Sequence, residues 1–256
     1  MLSQIYKELK RFYLYFFVLC PFLGFSQAGN VGNIVTPGQL WNEISFNQGL
    51  NKKMVVDLSL QFSTSDNLKG DNHIGRYPID IGSRAWLHYY FKPKIKLSAS
   101  VGYWRNLEVP ELNQKASSDY KIGLQFQHFI THDRLTFYNK VRLDERLRLL
   151  QDPKDFQSLT SLIYMPKLFV ALNGKSIRAH TYYFIFSDEI FFNISQGKFI
   201  DQNRITSGFG YCFTDDITLE ATYINKLVNQ PNLENENTNI LSFSLSFNNF
   251  LNMVQR

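Results

Sequence analysis

Apolar and polar residues alternate with period two along much of this chain, which predicts β-strands with one apolar and one polar face. In one stretch Met54, Val56, Leu58, Leu60 and Phe62 point one way while Asp57, Ser59, Gln61 and Ser63 point the other. In the next, Ile79, Ile81, Ala85, Leu87, Tyr89 and Phe91 oppose Asp80, Gly82, Arg84, Trp86 and His88. Ile95 to Tyr103, Tyr120 to Gln127, Ile217 to Tyr223 and Leu241 to Phe247 repeat the pattern. Runs of about 10 residues match a tilted strand crossing a hydrocarbon layer. Polar faces carrying Ser98, Ser100, Gly102, Lys121, Gln125 and Glu220 suit an aqueous lumen better than a dry core. A soluble sandwich or lipocalin-type barrel would alternate equally well, with its apolar face inward. Aromatic residues at the ends of the runs (Tyr89, Tyr90 and Phe91; Tyr103 and Trp104; Tyr211 and Phe213; Phe247 and Phe250) fit interfacial girdles and favour the membrane reading.

The connections separate into two classes. Short turns are expected at Asn47 to Lys53, Lys92 to Lys94, Thr131 to Asp133 and Thr214 to Asp216. Longer polar links are expected at Ser65 to Gly75, Asn106 to Ser117, Leu150 to Phe156, Asn193 to Lys198 and Asn229 to Asn237. This is the asymmetry of periplasmic turns and extracellular loops. Eleven strands can be counted from Leu40 onward, Ser158 to Thr181 being the least regular because Pro166 and Asn173-Gly174 interrupt it. Single-chain bacterial barrels use even numbers. The expected fold is therefore all-β, a transmembrane antiparallel up-and-down β-barrel of about 12 strands, the twelfth near Gly29 to Thr36, with 10 as the alternative.

The N-terminus supports export. Lys7, Lys10 and Arg11 precede an apolar segment from Phe12 to Phe25, after which the chain turns polar at Ser26 and Gln27. That segment is short of the roughly 18 to 20 residues a spanning helix needs, and Pro21 and Gly24 weaken it further, so it reads as a signal peptide cleaved near Ser26. Lipidation at Cys20 is disfavoured by the bulky Leu19 before it. Residues 1–26 are thus assigned to the signal peptide and 27–256 to a single barrel domain with no Pro/Gly/Ser-rich linker. With Cys212 as the one mature cysteine, no intramolecular disulfide is expected. An aromatic content of 16% with a modest, dispersed net charge of +5 fits neither a helical membrane protein nor a nucleic-acid binder.

Two blocks carry a family resemblance. Asn139 to Arg148 places Arg142, Asp144 and Arg146 at alternate positions; Ser187 to Tyr211 carries Asp188-Glu189 before a Phe and the run Gln202-Asn203-Arg204. With these blocks the chain resembles, from Leu40-Trp41 to its last strand, the family known as domain of unknown function 2490. Asp144 stands where that family more often has Glu, and the stretch around Pro166 is less typical of it. The resemblance implies an outer-membrane β-barrel, mostly found in Bacteroidota, and implies no activity.

One constellation stands out for chemistry. If Leu135, Phe137, Val141 and Leu143 face lipid, then Lys140, Arg142, Asp144, Arg146 and Arg148 form a charged ladder inside, which Glu189 and Arg204 could meet. The cluster Lys140, Arg142, Asp144, Arg146, Glu189 and Arg204 is either a constriction filtering anionic solutes or a salt-bridge network bracing a narrow barrel, and confined opposite charges favour the brace. No catalytic residues are assigned. The five histidines are followed two positions on by Gly75, Tyr90, Ile130, Arg134 and Tyr182, never by Ser. Asp71 with His73, and His132 with Asp133, fall in a predicted loop and turn. No metal site is assigned, Glu234 and Glu236 being better read as a solvated loop, and no cofactor is expected. The aromatic stretches Tyr182 to Phe186 and Phe191-Phe192 read as lipid contacts.

The expected function is that of a non-enzymatic outer-membrane barrel, a narrow passive pore or a structural membrane component. Its expected partners are outer-membrane lipid and, during biogenesis, the barrel-assembly machinery; no solute is identified. The alternatives are an outer-membrane hydrolase acting at the barrel mouth and a soluble secreted barrel holding a hydrophobic ligand.

Overall fold

The computed structural model describes residues 38–66, 75–151, 154–229 and 236–251. They form one all-β closed barrel. Its strands are β1 (Gln39–Gly49), β2 (Met54–Ser65), β3 (Tyr77–Lys92), β4 (Ile95–Asn106), β5 (Ser117–His132), β6 (Leu135–Gln151), β7 (Lys154–Ala171), β8 (Thr181–Asn193), β9 (Lys198–Cys212), β10 (Ile217–Val228) and β11 (Glu236–Asn248), with one short 3-10 turn at Pro110–Leu112. Each strand pairs antiparallel with its chain neighbours, and β1 pairs parallel with β11. Among the described residues no helix is long and apolar enough to cross a membrane. The expected signal peptide lies outside the described residues.

The closure corrects the expected count of 12 strands, with 10 as alternative: the ring has eleven. In an up-and-down meander every strand reverses direction, so an odd number makes the first and last run the same way and meet in parallel. From Gln39↔Ile240 to Asn47↔Asn248 the seam is continuous, and β1 uses its other edge on β2. The segment Gly29 to Thr36, where a twelfth strand was expected, lies outside the described residues.

The alternation places apolar side chains outside. Leu58, Leu60, Phe62, Leu87, Leu97, Val101, Ile122, Leu124, Phe126, Val141, Leu143, Phe209, Leu241 and Phe243 are all exposed. Ser45, Ser63, Ser98, Ser100, Asp119, Gln125, Gln127 and Ser187 are buried. In β5 the adjacent Leu124 and Gln125 are 60% and 9% exposed. The polarity is the reverse of a soluble barrel, whose apolar face fills the interior.

Several readings of individual positions change. Ile79, expected on the apolar outer face, is buried. The β2–β3 register skips it between Ser63↔Asp80 and Thr64↔Pro78, and a bulge of this kind re-aims the extra residue. Its carbonyl accepts hydrogen bonds from the Leu107 N–H (2.9 Å) and from Gln114 Nε2 (2.8 Å), which ties the 107–116 link to β3. Trp104 and Tyr90, expected in the girdles, point into the lumen: Trp104 is buried and pairs with Gly82, while Tyr90 lines an interior cavity. Tyr183 and Phe191 also leave the outer set, Tyr183 being buried and Phe191 lying under an inward guanidinium.

The link expected at Leu150 to Phe156 is mostly strand, since β6 and β7 pair as far as Gln151↔Lys154. Pro166 does not end β7. It coincides with a gap in the β7–β8 register between Tyr164↔Ile190 and Lys167↔Ser187, because its ring nitrogen has no N–H to donate.

Candidate functional site

Ladder registers decide which inward side chains share a level. On β6 the even positions Tyr138, Lys140, Arg142, Asp144, Arg146 and Arg148 face in, opposite Phe129, Gln127, Gln125, Gly123, Lys121 and Asp119 of β5. Glu189 of β8 pairs in register with Arg204 of β9. The odd outward members of β6, Leu135, Val141, Leu143 and Leu149, are exposed. The charged ladder is thus a direct consequence of strand alternation.

A continuous chain of charge and aromatic contacts crosses the lumen. At the β3–β4 wall the Arg84 guanidinium lies 5.3 Å from the Trp86 ring centroid and 4.9 Å from that of Trp104. Arg84 then pairs with Asp144 at 3.9 Å, across the intervening β4 and β5. Arg142 Nε approaches the same Asp144 carboxylate at 3.0 Å, and Arg142 Nη2 reaches Glu189 at 3.6 Å. Glu189 also faces Lys140 at 4.0 Å and accepts a hydrogen bond from Arg204 Nη1 at 3.4 Å. Arg204 lies between two rings, 5.4 Å from Trp41 on β1 and 4.7 Å from Phe191 on β8. The side chains of Arg142, Asp144 and Glu189 are nearly enclosed. Charges in that setting survive only when paired, since an isolated buried charge carries a large desolvation cost.

Of the six residues expected to cluster, Lys140, Arg142, Asp144, Glu189 and Arg204 are brought together. Arg146 shares their face but forms none of these ion pairs, and its Nε has no hydrogen-bond partner. Arg148 belongs to a second pair, donating from Nε and Nη2 to the two Asp119 oxygens at 2.7 and 2.9 Å. This bidentate geometry is the strongest form of Arg–carboxylate contact.

Sequence reasoning set Arg84 and Lys121 on the polar face and Trp104 in a girdle, and joined none of the three to the cluster. The Lys121 ammonium sits 3.7 Å from the Trp104 centroid, so that ring has cations at 3.7 and 4.9 Å. Space for the indole comes from glycines. A Cβ at Gly82 would overlap Trp104 Cδ1, and one at Gly102 would lie 2.5 Å from Cζ3. Gly82 and Gly102 on the polar face were the available signal that something large lies over them.

A serine–histidine contact also exists, across strands rather than along one. His88 Nδ1 is 2.7 Å from Ser98 Oγ, and the His88 ring stacks on Trp86 at 5.8 Å. Asp57 lines the same small cavity as His88, and its Oδ1 has no hydrogen-bond partner. His132 and Asp133 pair at the exposed β5–β6 turn, 3.3 Å apart. Asp71, His73 and Glu234 lie outside the described residues. Among the described residues no group of three His, Cys, Asp or Glu is placed to hold a metal ion.

Residues 38–237 match the family model described as "Protein of unknown function (DUF2490)", and the chain belongs to that family. The match covers both sequence blocks and every residue of the lumen chain. Compared with curated proteins, the sequence matches none.

Proposed function

We propose that this protein is an integral bacterial outer-membrane β-barrel, exported by a signal peptide cleaved near Ser26. In this reading its lumen is closed across the middle by the Arg84–Asp144–Arg142–Glu189–Arg204 chain. It serves as a structural or solute-holding membrane component with no catalytic role, rather than as an open diffusion pore.

The observation that carries this reading is the reversed polarity of the barrel. Apolar side chains such as Val101, Leu124 and Phe209 cover the outside while the ion pairs fill the inside. Contiguous exposed apolar surface of this extent is unfavourable in water and favourable against acyl chains. A closed ring also satisfies every backbone group inside lipid, as an open sheet would not. Outer-membrane lipid is then the surrounding partner, and the barrel-assembly machinery its partner during biogenesis.

The test is fractionation of expressing cells followed by electrophoresis of boiled and unboiled detergent extracts. Recovery in the outer membrane with a heat-dependent mobility shift supports the reading. A product that is soluble in the periplasm without detergent overturns it.

A further inference from the structure

Toward the rim of the short turns the lumen widens into a cavity of about 570 Å³, within the size range of small-molecule sites. Its two walls differ in chemistry. One is an arc of aromatic rings on β3 and β5 to β8: Tyr90, Phe129, Tyr138, Phe169 and Tyr183. The rings form an unbroken series, with centroids 6.4 Å apart for Tyr90 and Phe129, 4.9 Å for Phe129 and Tyr138, 5.1 Å for Tyr138 and Phe169, and 5.8 Å for Phe169 and Tyr183. The other wall, on β1, β10 and β11, is polar and carries Asn47, Thr218, Glu220, Ser246 and Asn248. Glu220 is held in place by the Tyr183 hydroxyl, which donates to its Oε1 at 2.8 Å, and by Lys167 at 4.0 Å.

We propose that this cavity binds a neutral saccharide, one face of the sugar ring lying on the aromatic arc and its hydroxyls meeting the polar wall. The C–H face of a pyranose carries partial positive charge and suits the negative face of an aromatic ring. The ring's edge carries hydroxyls that both donate and accept, as amide, hydroxyl and carboxylate groups require. An acyl chain would satisfy the arc but offer no hydrogen bond to the Asn47 and Asn248 amides on the other wall, at about 1–3 kcal/mol for each desolvated group. Glu220 is already paired with Lys167 at 4.0 Å, so the polar wall favours neither an anion nor a cation. This inference needs only the cavity and does not depend on where the barrel resides.

The experiment is saturation-transfer NMR on the full chain, folded in an amine-oxide detergent that has no sugar headgroup. The probes are methyl glucoside, methyl galactoside and N-acetylglucosamine, with decanoate as the acyl comparison. Saturable transfer to the ring protons of at least one sugar is expected, weakened roughly three- to tenfold by Phe129→Leu and by Glu220→Gln. Phe129→Leu keeps an apolar side chain and removes the ring face, and the heat-dependent mobility shift checks that each variant is folded. The proposal is overturned by absence of saturable transfer from all three sugars, by saturable binding of decanoate alone, or by sugar binding that Phe129→Leu leaves unchanged.

Discussion

The Arg142 guanidinium lies 3.6 Å from the Glu189 carboxylate, joining β6 to β8 across the inner face of β7. That contact spans the place where Pro166 leaves the β7–β8 ladder open, so a side-chain ion pair bridges two strands where backbone pairing is interrupted.

Removing Glu189 leaves Lys140, Arg142 and Arg204 facing one another without their shared carboxylate. Glu189→Ala is expected to destabilise the folded barrel by roughly 3–5 kcal/mol, the usual cost of stripping one partner from a buried pair. The measurement is the guanidinium midpoint for loss of the fast-migrating unboiled band. A shift worth under about 1 kcal/mol would mean that these charges behave as solvated surface groups.

Trp104 requires the bare backbone of Gly82. Gly82→Ala is expected to cost roughly 1–3 kcal/mol through overpacking. With Trp104→Ala already present the same substitution should be nearly neutral. A double-mutant cycle on the same midpoint measures the coupling, and additive effects would place the indole elsewhere.

The parallel seam makes a covalent prediction. Ser45 and Ser246 are register partners with their hydroxyl oxygens 2.8 Å apart. In a Cys212→Ser background, Ser45→Cys with Ser246→Cys should form a disulfide, since register partners whose side-chain oxygens lie 2.8 Å apart bring the two replacing sulfurs within bonding reach. The cross-linked chain would resist full unfolding on boiling until reduced. A barrel with a twelfth strand inserted at the seam would leave both thiols free.

If the Arg84 to Arg204 chain closes the lumen, the native protein should show little conductance in planar bilayers. The double variant Arg142→Ala, Arg204→Ala should then raise conductance several-fold by clearing the bridge between the β3 and β1 walls. High conductance in the native protein would instead make these residues a filter in an open pore.

The strand alternation and most of the turns were legible because a two-sided sheet stamps a period of two on its sequence. The inward ladder on β6 followed from the same parity. Parity names the face a residue occupies and never the strand opposite, so Arg84 remained invisible as the partner of Asp144. Trp104 and Tyr90 were misplaced because their places near strand ends suggest girdle aromatics, although each follows an outward residue, Tyr103 or Tyr89, and so faces inward by parity, as the register of Trp104 with Gly82 also shows. The alternation itself counts eleven strands, and the expected 12 or 10 came from the even-number rule for single-chain bacterial barrels, which this closure does not follow.

The most direct test of the membrane-barrel account uses the protein's own tryptophans. Trp86 and Trp104 stack with Arg84 in the lumen, and Trp41, the third of three, packs on Arg204 there. Reconstituted in bilayers whose acyl chains carry bromine, the native protein should keep nearly all its tryptophan fluorescence, while Leu124→Trp on the outer face should add a strongly quenched component. Strong quenching of the native tryptophans, or a Leu124→Trp signal untouched by brominated lipid, would contradict it.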